Sequence, residues 1–197
     1  MNPINLRKII LASSSPRRKE LLEACGYHFE VKQVDYQEHY PEDMPAGEVA
    51  LFLAEQKAAA AIKLIIDDEI LLTADSIVVL REQIFGKPKD ANDAYRMLAF
   101  LSGKHHTVFT GVCISDMNKK ISFTGKSEVY MRELNHEEII WYIERSSPYD
   151  KAGAYAVQEW IGLCKISRIE GSYSNIMGLP TDLVYEALKH FEGAIAF

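Results

Sequence analysis

A cluster of hydroxyl and guanidinium groups near the start of the chain has the residue types of an anion site. The segment S-S-S-P-R-R at residues 13–18 follows an apolar run, residues 9–12, that is typical of a buried strand. Pro16 suits the first position of a helix, and Ser15 is then its N-cap. Hydroxyls and free backbone N–H groups at a helix N-terminus favour a negative ligand. A capped helix with solvated arginines fits the same residues, so both interpretations stay open.

Asp75 is the most informative acidic residue. It follows the apolar run at residues 70–74, which predicts a buried strand that stops at this aspartate. Ligands of open α/β sheets collect at the carboxyl ends of strands, where a carboxylate can handle protons. A turn or cap role is commoner for such an aspartate, so Asp75 gains interest only beside nearby cations.

Two lysines could complete a cationic pocket. Lys57 interrupts the apolar side of a predicted helix, and Lys87 lies in a Gly-Lys-Pro triplet that predicts a loop. Together with Arg17 and Arg18 they could surround a triphosphate, since charge-assisted hydrogen bonds favour phosphate oxygens. Taken alone, each lysine is more often a solvated surface residue than a ligand.

An acidic loop offers oxygen ligands for a metal. Glu38, Glu42 and Asp43 could bind Mg²⁺, which prefers one or two carboxylates plus phosphate oxygens. A solvated acidic loop is the simpler interpretation of the same residues. His105 and His106 are adjacent in a predicted strand and face opposite sides of it, so they are expected to be structural.

Composition limits the class of protein. The chain has 197 residues and a net charge of −6, with 48% hydrophobic and 25% charged residues. These values suit a single domain over residues 1–197, with two lobes around a cleft as a variant. The negative balance disfavours a nucleic-acid partner, whose binding depends on excess Lys and Arg. A small anionic ligand needs only a local patch of cations.

The chain lacks signals for secretion or for membrane insertion. No run of about 18 apolar residues exists, and the N-terminus has no signal-peptide pattern. Cys25, Cys113 and Cys164 lie apart in apolar settings, which predicts buried free thiols in a reducing compartment. We therefore expect a cytoplasmic protein with no membrane partner.

Helical and strand patterns interleave along the chain and predict an α/β fold with a mixed central sheet. An antiparallel hairpin is predicted from residues 107–115 and 120–130, joined across 116–119. The segment at residues 151–158 is rich in small residues, as when backbone approaches a flat ligand or makes a tight turn. Further predicted elements are helices at residues 16–24, 47–65, 91–101, 136–145 and 181–191, strands near residues 29–34 and at 163–169, and a loop at 171–180. Asp90 is the expected N-cap of the third of these helices, and Asn135 with Glu138 three residues later predicts a capping-type start for the fourth.

The residues alone predict no more than a small α/β protein with a polyanion site, because the common signatures that would specify its chemistry are absent. The sequence has no G-x-x-x-x-G-K-[ST], G-x-G-x-x-G, H-E-x-x-H or G-x-S-x-G segment. Seven other motifs follow one another in a fixed order: S-x-S-P-R-R-K-E-L-L at 13–22, T-A-D-S at 73–76, G-K-P at 86–88, S-G at 102–103, D-K-A-G-A-Y at 150–155, G-S-Y at 171–173 and G-L-P at 178–180.

On these motifs the chain resembles the Maf family of nucleoside triphosphate pyrophosphatases over nearly its whole length. The resemblance implies an elongated α/β architecture shared with inosine triphosphate pyrophosphatases, with the site in a cleft of the mixed sheet. It implies hydrolysis of a nucleoside triphosphate to the monophosphate and pyrophosphate, with a divalent metal, Mg²⁺ or Mn²⁺. Relatives often form homodimers, so the resemblance also implies a homodimer for this chain.

The resemblance assigns roles to individual residues. Asp75 matches the proposed catalytic base, and Glu38 and Asp75 are the expected metal ligands. Relatives often carry two adjacent glutamates in the acidic loop, whereas this chain has Gln37 before Glu38. The residues expected to bind the phosphates are Ser13, Ser15, Arg17, Arg18, Lys57 and Lys87.

Three positions indicate the base. Arg17, Ser76 and Gln158 stand where the subgroup acting on dTTP and UTP, and on related modified pyrimidine nucleotides, carries its specificity residues. Ser76 replaces the more usual threonine, which keeps the hydroxyl and loses a methyl group. The alternative function is a nucleotide-binding regulator of cell division and septum formation without significant hydrolysis.

Overall fold

The structure is a computed structural model that describes residues 7–194. Its strands are β1 Ile9–Ala12, β2 Phe29–Lys32, β3 Ile70–Leu80, β4 Gln83–Phe85, β5 His105–Ser115, β6 Lys120–Met131 and β7 Ile166–Glu170. Its α-helices are α1 Pro16–Ala24, α2 Ala46–Ala61, α3 Ala91–Leu101, α4 His136–Ser146, α5 Trp160–Lys165, α6 Tyr173–Met177 and α7 Thr181–Leu188. Short 3₁₀ turns occupy Ile62–Leu64, Pro148–Asp150 and Ala152–Ala154.

The seven strands form one mixed sheet in the order β2-β1-β3-β5-β6-β7, with β4 also paired to β3. β1 runs parallel to β2 and β3, whereas β5, β6 and β7 follow in antiparallel pairs. Helix α2 covers one face of the sheet, and α3, α4 and α7 pack on the other. The predicted α/β fold and its hairpin are therefore confirmed.

One edge of β3 carries two different partners with a gap between them. β1 pairs with this edge as far as Leu72, and β4 pairs with it from Val78 onward. The opposite edge pairs with β5 without interruption from Leu71 to Val79. Within the described residues, the segment between the two partners therefore lacks a neighbouring strand on one side, and it contains Asp75 and Ser76.

The predicted end of the strand at Asp75 is wrong, because β3 continues through this residue to Leu80. The ladder with β5 supplies hydrogen bonds on the far edge, so the backbone stays extended across the gap. The apolar run nevertheless marks a real boundary, because the pairing of β3 with β1 ends at Leu72, shortly before Asp75. Successive residues of a strand face opposite sides, so Asp75 and Ser76 reach the gap from the two faces of the sheet.

Two segments adopt a different secondary structure from the prediction. Residues 163–165 belong to α5 rather than to a strand, and Leu163 is 76% exposed, so its apolar character was no guide to the core. The expected loop at 171–180 contains α6. Alternation over three residues cannot separate helix from strand, and α6 is held by the buried Asn175 side chain, a tertiary contact.

The predicted caps of two helices are confirmed, whereas the predicted burial of the three free cysteines is confirmed only for Cys113. Asp90 accepts a hydrogen bond from the backbone N–H of Asp93, and Asn135 forms a capping box with the third residue of α4. Cys113 is buried as expected, but Cys25 and Cys164 are exposed. Both exposed thiols lie at a helix end or on a helix face that the core does not cover.

Along residues 7–194, no helix is both long enough and apolar enough to cross a bilayer.

Helix α2 lies unusually close to β5 at Gly111. A Cβ atom built on Gly111 would lie 2.2 Å from the carbonyl oxygen of Ala50 and 2.3 Å from the backbone nitrogen of Leu51. Backbone atoms of a packed helix cannot give way locally, so only glycine fits at this point of the sheet. The contact fixes the height of α2, and with it Lys57, above β3.

We expect Gly111→Ala to lower the free energy of unfolding by about 3 kcal/mol or more, because the added methyl group must push α2 off the sheet. Chemical denaturation monitored by circular dichroism measures this loss. Gly47→Ala is the matched control, because its Cβ would meet only Phe109 at an ordinary 3.5 Å. Equal stability of the two variants would contradict the close approach.

Candidate active site

A cavity of about 550 Å³ lies at the gap in β3, between the loop that follows β1 and the loop that follows β4. The charged side chains that line it are five cations, Arg17, Arg18, Lys57, Lys87 and Lys151, and three carboxylates, Glu38, Asp75 and Asp150. The lining thus carries a formal charge of two positive in a protein that is negative as a whole. This local excess favours an anionic ligand.

Arg18 is a buried cation whose hydrogen-bond partners are all neutral. Its side chain donates from Nε to the carbonyl of Gly178 at 2.7 Å, from Nη1 to Oγ of Ser13 at 3.3 Å, and from Nη2 to Oγ of Ser76 at 3.0 Å. The residue is 8% exposed, and burial lowers the pKa of its guanidinium. No carboxylate in residues 7–194 forms an ion pair with Arg18. A bound anion would supply the missing counter-charge.

Asp75 is buried beside Lys57, with 3.8 Å between its Oδ1 and the lysine Nζ. Burial raises the pKa of the Asp75 carboxyl, although Arg18 and Lys57 act in the opposite direction. Burial also lowers the pKa of Lys57, whose ammonium lies 5.3 Å from the ring centroid of Tyr36. A carboxylate with a raised pKa in a cleft has the properties of a general base.

Arg17 and Lys151 are linked by one carboxylate. Asp150 accepts from Arg17 Nη1 at 2.8 Å through Oδ2 and from Lys151 Nζ at 2.8 Å through Oδ1. Lys151 is buried and lines the cavity, yet the sequence analysis did not count it among the cations. The D-K-A-G-A-Y motif contains both Asp150 and Lys151. Its small residues predicted backbone contact with a ligand, and this prediction left the charge of Lys151 out of account.

The serine segment supports Arg18 as well as lining the cavity. Ser15 occupies the N-cap position of α1, but its side chain makes no capping hydrogen bond. Oγ of Ser13 instead accepts from the backbone N–H of Ser15 at 3.2 Å and from Arg18. The start of α1 lines the cavity through Pro16, Arg17 and Arg18, and direct contact of either serine with phosphate stays a prediction.

Gln158 and Tyr155 form a wall of the cavity near the end of the small-residue segment. Oε1 of Gln158 is buried and accepts no hydrogen bond from any described residue. The Tyr155 hydroxyl lies 2.7 Å from Nε2 of His106, and burial lowers the pKa of that imidazole to about 4. His105 stacks on Tyr130 instead, so the two histidines are separate, as predicted.

The carboxylates of the cavity fit a hard divalent cation completed by ligand oxygens. Glu38 and Asp75 both line the cavity, whereas Glu42 and Asp43 do not. The described part of the chain contains no group of three or more His, Cys, Asp or Glu side chains that could hold a metal ion by itself. Mg²⁺ commonly binds through one or two carboxylates plus phosphate oxygens, and Glu38 and Asp75 would provide two such carboxylates.

Fold and site together define an α/β protein with a cationic cleft, suited to a small polyanion, at an open sheet edge. The chain belongs to the Maf-like protein family, whose sequence model matches residues 8–191. The resemblance drawn from the seven motifs is thereby confirmed.

Curated relatives match most of the chain. The dTTP/UTP pyrophosphatase of Phocaeicola vulgatus is 48% identical over 183 residues, covering 92% of this chain and 95% of that protein. Those of Porphyromonas gingivalis (48% over 187 residues, 93% and 94%) and Parabacteroides distasonis (45% over 185 residues, 93% and 96%) are similar too. Among solved structures, the Staphylococcus aureus Ham1 protein is 14% identical with a TM-score of 0.46, covering 64% of this chain and 72% of that chain.

The buried His106 predicts a pH effect on stability. Its folded pKa of about 4 lies below the ordinary value of 6.5, so the unfolded chain binds the proton more readily. The free energy of unfolding should therefore fall as the pH drops from 6.5 to 4, by up to about 3 kcal/mol. Urea titrations across this range measure the slope.

His106→Gln removes the titrating group and should flatten the curve between pH 6.5 and 4. The matched control is His105→Gln on the same strand, which should keep the slope of the parent protein. A His106→Gln curve that parallels the parent over this range would show that other groups cause the acid sensitivity.

Proposed function

We propose that this protein hydrolyses the pyrimidine nucleoside triphosphates dTTP and UTP, or modified forms of them, to the monophosphate and pyrophosphate. The observation that carries the proposal is Arg18, a buried cation without a carboxylate partner, in the same cavity as the buried carboxylate of Asp75. Relatives named dTTP/UTP pyrophosphatase, aligned over more than nine-tenths of the chain, support the choice of substrate.

The charges of the cavity suit a triphosphate bound with a divalent cation. A nucleoside triphosphate carries about four negative charges near neutral pH, and the lining carries two positive ones. A Mg²⁺ or Mn²⁺ ion held by Glu38, Asp75 and phosphate oxygens would supply the remaining charge and would acidify a bound water.

The residues of the cavity divide the work of hydrolysis. Arg18, Lys57 and Lys87 hold the polyphosphate and stabilise charge on the leaving pyrophosphate. Arg17 joins them when the polyphosphate competes with Asp150 for its guanidinium. Asp75 orients the attacking water and accepts its proton, while the new bond forms to the α-phosphorus and the bond to the bridging oxygen breaks.

Gln158 is suited to recognise a pyrimidine base. The edge of uracil or thymine presents an acceptor, a donor and an acceptor in sequence, and one amide group can pair with two of them. The free Oε1 of Gln158 is an acceptor for the N3–H of such a base. Arg17 and Ser76 line the same cavity and complete the set of positions that distinguish pyrimidines.

The setting of the reaction follows from the surface of the protein. We propose that the enzyme acts in the cytoplasm on free nucleotides without a nucleic-acid partner, because the net charge is −6 and two free thiols, Cys25 and Cys164, are exposed. Homodimer formation is also proposed, and sedimentation of the purified chain measures it.

A substrate panel tests the proposed function. dTTP, UTP, CTP, GTP and their modified forms, each with Mg²⁺ or Mn²⁺, are assayed for pyrophosphate release. We expect the highest kcat/KM for dTTP and UTP. Tight binding of nucleotides with no pyrophosphate release would instead identify a nucleotide-binding regulator.

Asp75→Asn keeps the shape of the side chain and removes the basic oxygen. Turnover of dTTP should fall by roughly 10² or more, as for loss of a general base, while dTTP binding by calorimetry persists. Asp150→Asn is the comparison, since it alters a second carboxylate of the same cavity and should retain most of the turnover. Near-normal turnover in Asp75→Asn would remove Asp75 from the chemistry.

Gln158→Ala should reduce discrimination between pyrimidines and purines by roughly 10- to 100-fold, because the pairing groups of the base lose their partner. The measurement is kcat/KM for dTTP, UTP and GTP on both proteins. Activity on GTP should stay level. An equal decrease for all three nucleotides would mean that Gln158 acts on the phosphates or on the fold.

A further inference from the structure

A chain of hydroxyl groups connects Arg18 to the short helix α6. Nη2 of Arg18 donates to Oγ of Ser76 at 3.0 Å, and this oxygen lies 2.9 Å from Oγ1 of Thr110. Oγ1 of Thr110 lies 3.0 Å from the backbone carbonyl oxygen of Asn175. Thr110 is fully buried on β5, and it does not line the cavity.

The two ends of this chain determine the direction of every hydrogen bond in it. A guanidinium can only donate and a carbonyl can only accept, whereas each hydroxyl has a single proton. The Ser76 proton must therefore point at Thr110, and the Thr110 proton must point at the carbonyl of Asn175. Ser76 consequently presents a lone pair to Arg18 and has no O–H left for a ligand.

Helix α6 contacts Arg18 in two ways, through the series of hydroxyl groups and through its own C-terminal end. The side chain of Asn175 donates to the carbonyl of Val108 at 3.1 Å and to Oγ of Ser127 at 2.9 Å, which ties α6 to β5 and β6. The same helix ends at Gly178, whose carbonyl accepts from Nε of Arg18 at 2.7 Å. Both sides of the guanidinium thus depend on one anchored segment.

We propose that Thr110 is a positioning residue for anion binding, which it serves by holding Ser76 as an acceptor and so fixing Arg18. Of the five N–H donors of a guanidinium, three are used by Gly178, Ser13 and Ser76, and two are left for a bound polyphosphate. Without the Thr110 hydroxyl, the Ser76 proton loses its acceptor, and the carbonyl of Asn175 keeps only the backbone N–H of Gly178 as a donor. Ser76 then turns, and Arg18 keeps its hydrogen bonds to Gly178 and Ser13 but loses the fixed acceptor at Nη2.

This inference rests on the proposed function for its consequences in hydrolysis, so its test uses a ligand that needs no hydrolysis. Inorganic tripolyphosphate is titrated into the protein by calorimetry, and uridine serves as the ligand without phosphate. Thr110→Val, which keeps the shape and removes the hydroxyl, should weaken tripolyphosphate binding about tenfold, the effect of losing one hydrogen bond in a buried chain. Uridine binding should change less than tripolyphosphate binding, and KM for dTTP should rise more than kcat falls.

Two further variants separate positioning from packing. Thr110→Ser restores the hydroxyl and should bring binding back to within about twofold of the parent protein. Thr73→Val is the matched control, because Thr73 is equally buried and donates to the carbonyl of Ala54 at 2.8 Å without any link to Arg18. It should lower the melting temperature and leave tripolyphosphate binding unchanged.

Coupling to Arg18 is the decisive measurement. In an Arg18→Lys background, Thr110→Val should weaken tripolyphosphate binding no further, since its effect passes through the guanidinium. An equal loss in both backgrounds, or the same loss in Thr73→Val, would overturn the inference. If Thr110→Val does not fold, Thr110→Ala replaces it in every comparison.

The failure of each idea has its own signature. A parent protein that hydrolyses no triphosphate, but whose tripolyphosphate binding depends on Thr110 as described, refutes the proposed function alone. Normal dTTP hydrolysis with unchanged tripolyphosphate binding in Thr110→Val refutes the positioning role alone.

Discussion

The gap between β1 and β4 on one edge of β3 is the constraint on which the site depends. Within the gap, β3 is paired on only one of its edges, and it stays extended because its ladder to β5 is complete. At the unpaired edge, side chains from both faces of the strand can reach the same space. Asp75 from one face and Ser76 from the other therefore line a single cavity. Filling the gap with a continuous neighbour would place the two residues in separate environments and would leave no cleft.

The charges around the gap are arranged for a ligand rather than for the isolated protein. Burial lowers the pKa of the Arg18 guanidinium and raises that of the Asp75 carboxyl, so each ionised group is less favourable here than in water. Arg18 has neutral partners, and Lys57 meets Asp75 only at 3.8 Å. The proposed ligand, a polyphosphate with a divalent cation, would relieve both conditions, so that binding energy would be available at the site of the proposed reaction.

Rigid packing and polar networks position these groups. The close approach of α2 to Gly111 fixes the helix that carries Lys57, since backbone meets backbone there. On the other face, the hydroxyls of Ser76 and Thr110 and the carbonyls of α6 define the orientation of Arg18. Arg17 is different, because its partner Asp150 is a half-exposed carboxylate that a more highly charged anion can displace.

The sequence by itself determined the elements with strong local signals. Capping residues defined the starts of α3 and α4, the apolar runs located β1 and β3, and the ordered motifs identified the family through local residue identity. It also placed Arg17, Arg18, Lys57, Lys87 and Asp75 in one group, and the tertiary structure does bring them to one cavity. Only the tertiary structure decided that β3 continues past Asp75, that Lys151 joins the cations, and that Thr110 supports Arg18. Each of these depends on residues far apart in the chain, since strand pairing, burial and hydrogen-bond direction are properties of neighbours in space that local periodicity does not encode.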